Sequence, residues 1–503
     1  MASLPKDTHN VEASPNVWIV PLAFPSHVKN FLEFAKVLAT HKLTVTYFYT
    51  RGPAKALGVH TTVEKWRSEE GVDVHLRDLE IEEPEFADGL DDFKTWVEVM
   101  RQQEMRFDSI LKQEIELGNK PTCVISDFWL AGIHENTVKR NVPDWTLSIL
   151  SVGYTGAATY LSQLQSKGIL KIPASPQDKD SQEELISLPG LPLMRICELD
   201  ILSVFSSHVM FQFGKRNGLA VLKSDVVIFS TFQELEPRTF RELKIQMHNA
   251  AVKDKRETGE LLTVGPIFPL TTPGAARPTG NDSDVKDRHP YLKFLDGQRD
   301  SSVLFVAFGS TWQLPPEQML EIAFGLEASE QSFLCAFHPA EKTAKYPTGD
   351  IFDIIPPDLI IRIKGRGLFV QDWVPQLHIL NHPAVGGFLS HCGQNSTLEG
   401  LSMGVPILTW PLFTDQNMNA RFIVEEIQAG LGITKDESGE GLVDRTEVER
   451  KARALLQSEE GKAARKNALR IRELALRSVA VNGSSYNNMQ SLVARIRGLA
   501  GVQ

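Results

Sequence analysis

The chain of 503 residues holds only four cysteines, Cys123, Cys197, Cys335 and Cys392, and no two of them form a CxxC pair. Such scattered thiols are expected to be reduced, and they provide neither a disulfide scaffold nor a zinc-type cluster. No apolar run approaches the roughly 18 residues needed to span a bilayer. The opening stretch, MASLPKDTHNVEASPN, lacks the apolar core of a secretory signal. Positive charge is also in deficit, with 53 Lys and Arg against 63 Asp and Glu, a net charge of −10. This counts against a general nucleic-acid binder. It does not exclude an anionic small ligand, because backbone amides bind anions without basic side chains. No GxGxxG follows a strand-like run, which disfavours a dinucleotide oxidoreductase. A cytoplasmic monomer with no nucleic-acid partner, no membrane span and no metal is the simplest expectation.

Hydrophobic residues make up 42% and charged residues 23% of the chain, the ordinary balance of a globular protein. The length exceeds what one core accommodates, so two domains are expected. Short apolar runs alternate with amphipathic ones. VWIVPLAF (Val17–Phe24), LTVTYFY (Leu43–Tyr49), TCVISD (Thr122–Asp127) and DVVIFS (Asp225–Ser230) read as strands. Phe31, Phe34, Ala35 and Leu38 fall on one helical face. A stretch rich in Pro, Gly, Thr and Asp, Pro269–Pro290, breaks the pattern and reads as a linker. Beyond it SVLFVAFG, SFLCAF, GLFVQDW and AVGGFLS again read as strands, with a helix at PEQMLEIAFGLEAS. Alternation of this kind predicts an α/β fold with parallel sheets. The expected division is 1–265, a linker at 266–290, 291–480, and a C-terminal segment 481–503. In that last segment Met489, Leu492, Val493 and Ile496 form an apolar stripe, which packs either on its own domain or back on the first.

The stretch GGFLSHCGQNSTLEG joins a strand ending near Ser390 to a helix beginning after Gly393. Ligands of open α/β sheets collect at the C-terminal ends of strands. A helix N-terminus there offers unpaired amides and a partial positive charge to an anion such as a diphosphate. His391, Asn395 and Ser396 can add donors without any lysine or arginine. The plainer reading of Asn395 and Ser396 is helix capping. Nearby stand Trp373 and Gln376, an aromatic face beside an amide. Glu399 lies one turn beyond Asn395, and Asp415-Gln416 form an acid–amide pair suited to a polyol. Singly, Trp373 could be core, Glu399 a solvated charge and Asp415 an N-cap. Together they suit a nucleotide carrying a sugar.

The whole stretch from Trp373 to Gln416, WVPQLHILNHPAVGGFLSHCGQNSTLEGLSMGVPILTWPLFTDQ, closely resembles the donor-binding signature of plant family 1 UDP-dependent glycosyltransferases. STFQELEP (Ser230–Pro237), VGPIFPL (Val264–Leu270) and VLFVAFGS (Val303–Ser310) resemble further landmarks of that family. The resemblance implies a GT-B fold of two Rossmann-like domains facing across a cleft, with the acceptor on the N-terminal domain and the UDP-sugar on the C-terminal one. It implies that Trp373 stacks on uracil, with the Val374 backbone beside it. Gln376 and Glu399 would hold the ribose. Ser310, His391, Asn395 and Ser396 would contact the diphosphate, and Asp415 and Gln416 the sugar. A final glutamine in this box implies glucose before galactose. Gln394 departs from the family's usual tryptophan near the sugar's outer hydroxyls, which leaves glucuronate and other sugars as alternatives. A neutral amide pairs a carboxylate less well than a guanidinium does.

Transfer to a hydroxyl needs a base of near-neutral pKa, and histidine supplies one. His27 follows the first strand, in the context of the family's catalytic histidine, although Ser26 and Asn30 replace the usual Gly and Pro flanks. Asp127, at the end of TCVISD, matches the family's partner aspartate, which would hold the imidazole. The plainer readings are a loop histidine and a capping aspartate. Phe24, Phe128, Trp129, Phe205 and Met210 offer apolar surface for a flat phenolic or terpenoid acceptor, and equally could be core. Ser151 joins this set as a residue touching the sugar. The resemblance implies single-step transfer with inversion, with UDP-sugar as co-substrate and no cofactor or metal, and the cleft must close to join the half-sites. A nucleotide-sugar-binding protein without catalysis is the alternative of another class, but such a protein would need neither His27 nor Asp127.

Overall fold

A computed structural model of the chain describes residues 14–81, 93–167, 185–195, 208–270, 290–309, 314–338, 345–346, 348–371, 373–434 and 442–501. Two parallel sheets organise it, each flanked by helices. The first has seven strands in the order His75–Asp78, Thr44–Tyr49, Asn16–Val20, Cys123–Asp127, Asp144–Ser148, Val226–Phe229, Glu260–Thr263. The second has six, in the order Gly367–Val370, Ser332–Ala336, Val303–Ala307, Val385–Ser390, Ile407–Thr409, Gly430–Gly432. Strands buried on both faces carry continuous apolar runs, as in Val17–Val20 and Val303–Phe305.

In each sheet the first strand lies between the second and the fourth. Successive crossovers to its two sides lie on opposite faces, so the loops after the first and fourth strands diverge and leave a crevice. In the first sheet Val20 pairs with Ser126, which sets Asp127 beside the chain leaving the first strand. In the second, Ala307 pairs with Ser390, which sets His391 beside Phe308-Gly309.

The first strand ends at Val20 rather than running to Phe24. Pro21 has no N–H to continue a ladder. The loop that follows is held by Gln103, whose amide donates to the Pro21 carbonyl and accepts from the Ala23 N–H. Pro25 opens the first helix, Pro25–Thr40, in the position where a missing N–H costs nothing. Its apolar face, including Phe31, Phe34, Ala35 and Leu38, is fully buried. Each large side chain so buried contributes about 1.5–3 kcal/mol. The Tyr47 hydroxyl donates to the Val28 carbonyl and pins the first turn to the sheet.

The C-terminal helix, Ser484–Leu499, lies on the first domain. Met489, Leu492, Val493 and Ile496 share a core with Val17, Phe31 and Trp145. Ser485 donates to the Gly265 carbonyl, Asn488 to that of Thr263 and Arg497 to that of His41. Cys123, Cys335 and Cys392 are free and buried, and Cys197 lies outside the described residues. So does most of the linker stretch. No helix among the described residues is long and apolar enough to cross a membrane.

Candidate active site

The two crevices face each other and merge into one cavity of about 280 Å³. His27 enters it from the first turn of the first helix. Its Nδ1 lies 2.7 Å from Asp127 Oδ2, at the end of the neighbouring strand. A carboxylate oxygen in this contact accepts, so Nδ1 carries the proton and the neutral ring keeps the lone pair on Nε2. Asp127 is 2% exposed and is itself held, with Oδ2 accepting from the Leu22 N–H and Oδ1 from the Trp129 N–H. The helix after it is capped at Leu130, so Asp127 is not its N-cap. An imidazole so oriented can take a proton from a bound hydroxyl and spread the resulting charge toward the carboxylate.

The opposite wall is built by the helix Gln394–Ser402. Its N-cap is Gly393, with no side-chain cap, and its first turn holds no acidic residue. The ladder begins with Thr397 donating to Gly393, so the amides of Gln394, Asn395 and Ser396 precede it. The first helix begins in the same way, uncapped by a side chain and without an acid in its first turn. Two positive helix ends therefore converge on one cavity, an arrangement that an anion between them relieves.

His391 stands at this point. Its Nδ1 is buried with no hydrogen-bond partner among the described residues. Burial pushes its pKa down to about 4, so the ring is neutral at pH 7. Gly309 and Gly393 crowd it: a Cβ on either would lie 2.6 and 2.5 Å from Nε2. Only glycine leaves the imidazole this position, and Gly309 also has φ +79°.

Glu399 is 4% exposed, hence no solvated helix charge. Its Oε2 accepts from Gln376 Nε2 at 2.7 Å and its Oε1 from Lys29 Nζ at 3.3 Å. Gln376 Nε2 also donates to Ser396 Oγ, which leaves Gln376 Oε1 as acceptor. Trp373 is 58% exposed at the cavity, hence no core residue. Its ring centroid lies 6.4 Å from that of His338. Val374 lines the same wall.

Asp415 and Gln416 close the deep end. Gln416 Oε1 accepts from the amides of Leu412 and Phe413, which leaves its nitrogen as a donor. Asp415 accepts from Thr414 and Asn419 and makes no side-chain cap. Burial raises its pKa, and its hydrogen bonds with Asn419 and Thr414 and the nearby His27 oppose the rise. Acceptor-only Asp415 beside a donating Gln416 matches the mixed hydroxyls of a sugar. Gln394, 8% exposed, lines the cavity with them.

The apolar wall comes from the N-terminal domain. Phe24 stacks on Trp96 at 3.6 Å between centroids, and Leu22, Met100, Trp129, Leu150 and Tyr154 continue it. Phe128 does not line the cavity. It is 2% exposed in a core with Leu150 and Leu161, its ring edge-on to Trp129. Neighbours in a turn point to opposite sides, and only Trp129 faces the gap. Ser151 is likewise away from the cavity: its hydroxyl accepts from the Tyr154 N–H at the start of the next helix. Met210 lies in the helix His208–Val221, with its side chain outside the described residues, as are Phe205 and Ser310.

Sequence reading missed Lys29, Asn30, Trp96, Tyr154, His338 and Phe413. His338 stands two residues beyond the strand Ser332–Ala336, so the strand-end rule that found His27 would have found it. The two domains meet at the cavity: Asn30 Nδ2 donates to Asn395 Oδ1 at 2.6 Å, and Asn395 Nδ2 to the Ser26 carbonyl at 3.2 Å.

Two parallel-sheet α/β domains sharing one cavity between their switch points define the GT-B class of glycosyltransferases. A family model described as UDP-glucoronosyl and UDP-glucosyl transferase matches residues 200–444. UDP-glycosyltransferase 73C25 of Barbarea vulgaris is 30% identical over 501 residues, 96% of each chain. Among solved structures, Medicago truncatula UGT71G1 complexed with UDP-glucose superposes with a TM-score of 0.77 at 25% identity, covering 97% of this chain and 99% of that one. Phytolacca americana UGT2 complexed with UDP-2fluoro-glucose and pterostilbene gives 0.77 at 25% identity, covering 96% and 100%. The chain belongs to the UDP-glycosyltransferase family of plants and is a glycosyltransferase acting on small molecules.

Proposed function

We propose that this enzyme moves glucose from UDP-glucose to a hydroxyl of a flat apolar acceptor, a phenolic such as a flavonoid or a terpenoid, with inversion at the anomeric carbon. The observation that carries the reading is the His27–Asp127 pair at 2.7 Å in the same cavity as the uncapped helix end at Gly393. His27 Nε2 takes the proton of the acceptor hydroxyl. That oxygen forms a bond to the anomeric carbon as the bond to the β-phosphate oxygen breaks, and UDP leaves with the electron pair. Asp127 stabilises the imidazolium.

The donor half, in residues 291–480, holds UDP through Trp373 and Val374 at the base, Gln376 and Glu399 at the ribose, and His391, Asn395, Ser396 and Ser310 at the diphosphate. Amide dipoles, His391 and Asn395 carry the anion, so the reading needs no metal or further cofactor. Asp415, Gln416 and Gln394 meet the sugar. The acceptor lies on the half within residues 1–265, against Phe24, Trp96 and Trp129. The bound UDP-sugars of the Medicago and Phytolacca neighbours support the donor, and pterostilbene in the latter supports a small-molecule acceptor.

A screen of UDP-sugars against phenols and terpenoid alcohols, read by mass spectrometry and by the anomeric coupling of the product, tests this. The β-glucoside of a phenol from UDP-α-glucose is the expected product. Retained configuration, or a donor other than UDP-glucose preferred throughout, would contradict the reading.

A further inference from the structure

His27 and Asn30 lie three residues apart in the first helix and share the face turned toward the donor half. Asn30 is not among the residues that line the cavity. Its amide nitrogen instead crosses between the domains to Asn395 Oδ1 at 2.6 Å, a short bond for two neutral amides. The other end of Asn395 donates to the Ser26 carbonyl. A backbone carbonyl only accepts, so this contact fixes which end of Asn395 is nitrogen, and the oxygen end then needs a donor. Asn30 supplies it. The Asn395 amide is thereby held at both ends by the helix that carries His27. Its second N–H hydrogen remains for the cavity, which Asn395 lines.

We propose that Asn30 is a positioning residue for the donor diphosphate. It holds Asn395 with the nitrogen, not the oxygen, presented to the anion. The inference rests on the reading that Asn395 contacts the diphosphate. Without Asn30 only the Ser26 carbonyl holds the Asn395 amide, so the amide turns more readily, and when turned its oxygen faces the phosphate oxygens. The N-terminal domain thus completes the anion site beside the base, and donor affinity depends on the two domains being engaged.

Substitution of Asn30 by Asp separates this role from a merely structural one. An aspartate fits the first turns of a helix and can still bond Asn395. As an acceptor only, it competes with the Ser26 carbonyl for the Asn395 nitrogen, and drawing that nitrogen to itself turns the oxygen to the cavity. UDP and uridine are titrated calorimetrically into wild type, Asn30→Ala, Asn30→Asp, Asn395→Ala and the double alanine variant, with thermal unfolding as the folding control. Loss of one hydrogen bond to a charged group corresponds to roughly tenfold in affinity. Asn30→Ala is expected to weaken UDP by about that factor and Asn30→Asp by more, with uridine unaffected in both. The KM for the UDP-sugar rises in step while kcat holds. Asn30→Ala adds less than about twofold on top of Asn395→Ala, as for residues acting through one contact. Wild-type UDP affinity in Asn30→Asp, an equal loss for uridine, or multiplying effects in the double variant would overturn the proposal. If Asn395→Ala itself leaves UDP affinity intact, the diphosphate reading of Asn395 fails and the proposal fails with it. Loss in Asn395→Ala with none in Asn30→Asp defeats the proposal alone.

Discussion

His27 and Asp127, a hundred positions apart in the chain, meet at 2.7 Å because the strand before His27 and the strand ending in Asp127 are neighbours at the switch point of the first sheet. Both are buried, and the Asp127 carboxylate is fixed by two backbone amides as well as by the imidazole. Asp127→Asn keeps the shape but offers an amide nitrogen where an acceptor is needed. The proton then moves to Nε2 and the base is lost. A fall in kcat of about 10²–10⁴ is expected, with UDP affinity unchanged. Steady-state kinetics beside UDP titration checks this, and a loss below threefold would remove Asp127 from the mechanism.

Trp373 is a large aromatic that the fold leaves exposed at the cavity, where uracil is proposed to stack. Stacking a base on such a ring contributes about 1–3 kcal/mol. Trp373→Ala should therefore weaken uridine and UDP alike, by roughly five- to a hundredfold. Trp373→Phe should recover most of it. Unchanged uridine affinity in the alanine variant would end the stacking role.

Gln394 is buried in the cavity that Asp415 and Gln416 also line, the pair proposed to meet the sugar. Gln394→Trp should raise the preference for UDP-glucose over other UDP-sugars, measured as a ratio of kcat/KM values. A flat response across donors would mean that this position does not read the sugar.

Glu236 accepts from the amides of Val152 and Gly153, at the helix that brings Tyr154 to the cavity. Burial lifts its pKa from 4.5 to about 7, against those two hydrogen bonds. Between these values the folded chain keeps a proton that the unfolded chain has released. Stability therefore falls as pH rises through the window, by roughly 3 kcal/mol in all. Glu236→Gln stays neutral and lacks that loss. Its melting temperature relative to wild type should climb from pH 5 to pH 8, whatever constant offset the lost hydrogen bond adds. A difference that is flat with pH would contradict the burial effect.

The sequence made the alternating elements legible, and with them the positions of His27, Asp127 and His391 at strand ends. Local pattern sufficed there because a strand end and a helix start are adjacent in the chain. Which strands lie side by side is a non-local property, so Trp96 stacking on Phe24 could not be read from either segment. Facing was the other blind spot. Phe128 and Trp129 are both aromatic, and only the turn geometry decides which reaches the cavity. Ser26 and Asn30 stood out only as departures from the family's flanks, and the side-chain contact of Asn30 with Asn395 gives the second departure a physical use.

The most direct measurement compares wild type with His27→Ala, using UDP-glucose and a panel of phenols. UDP binding is followed by calorimetry, and glycoside with released UDP by mass spectrometry. Wild type should form glycoside, and His27→Ala should bind UDP with wild-type affinity and form none. Full turnover by His27→Ala, or UDP bound by wild type with no glycoside from any pair, would contradict an imidazole acting across one cavity on a sugar held at a helix end.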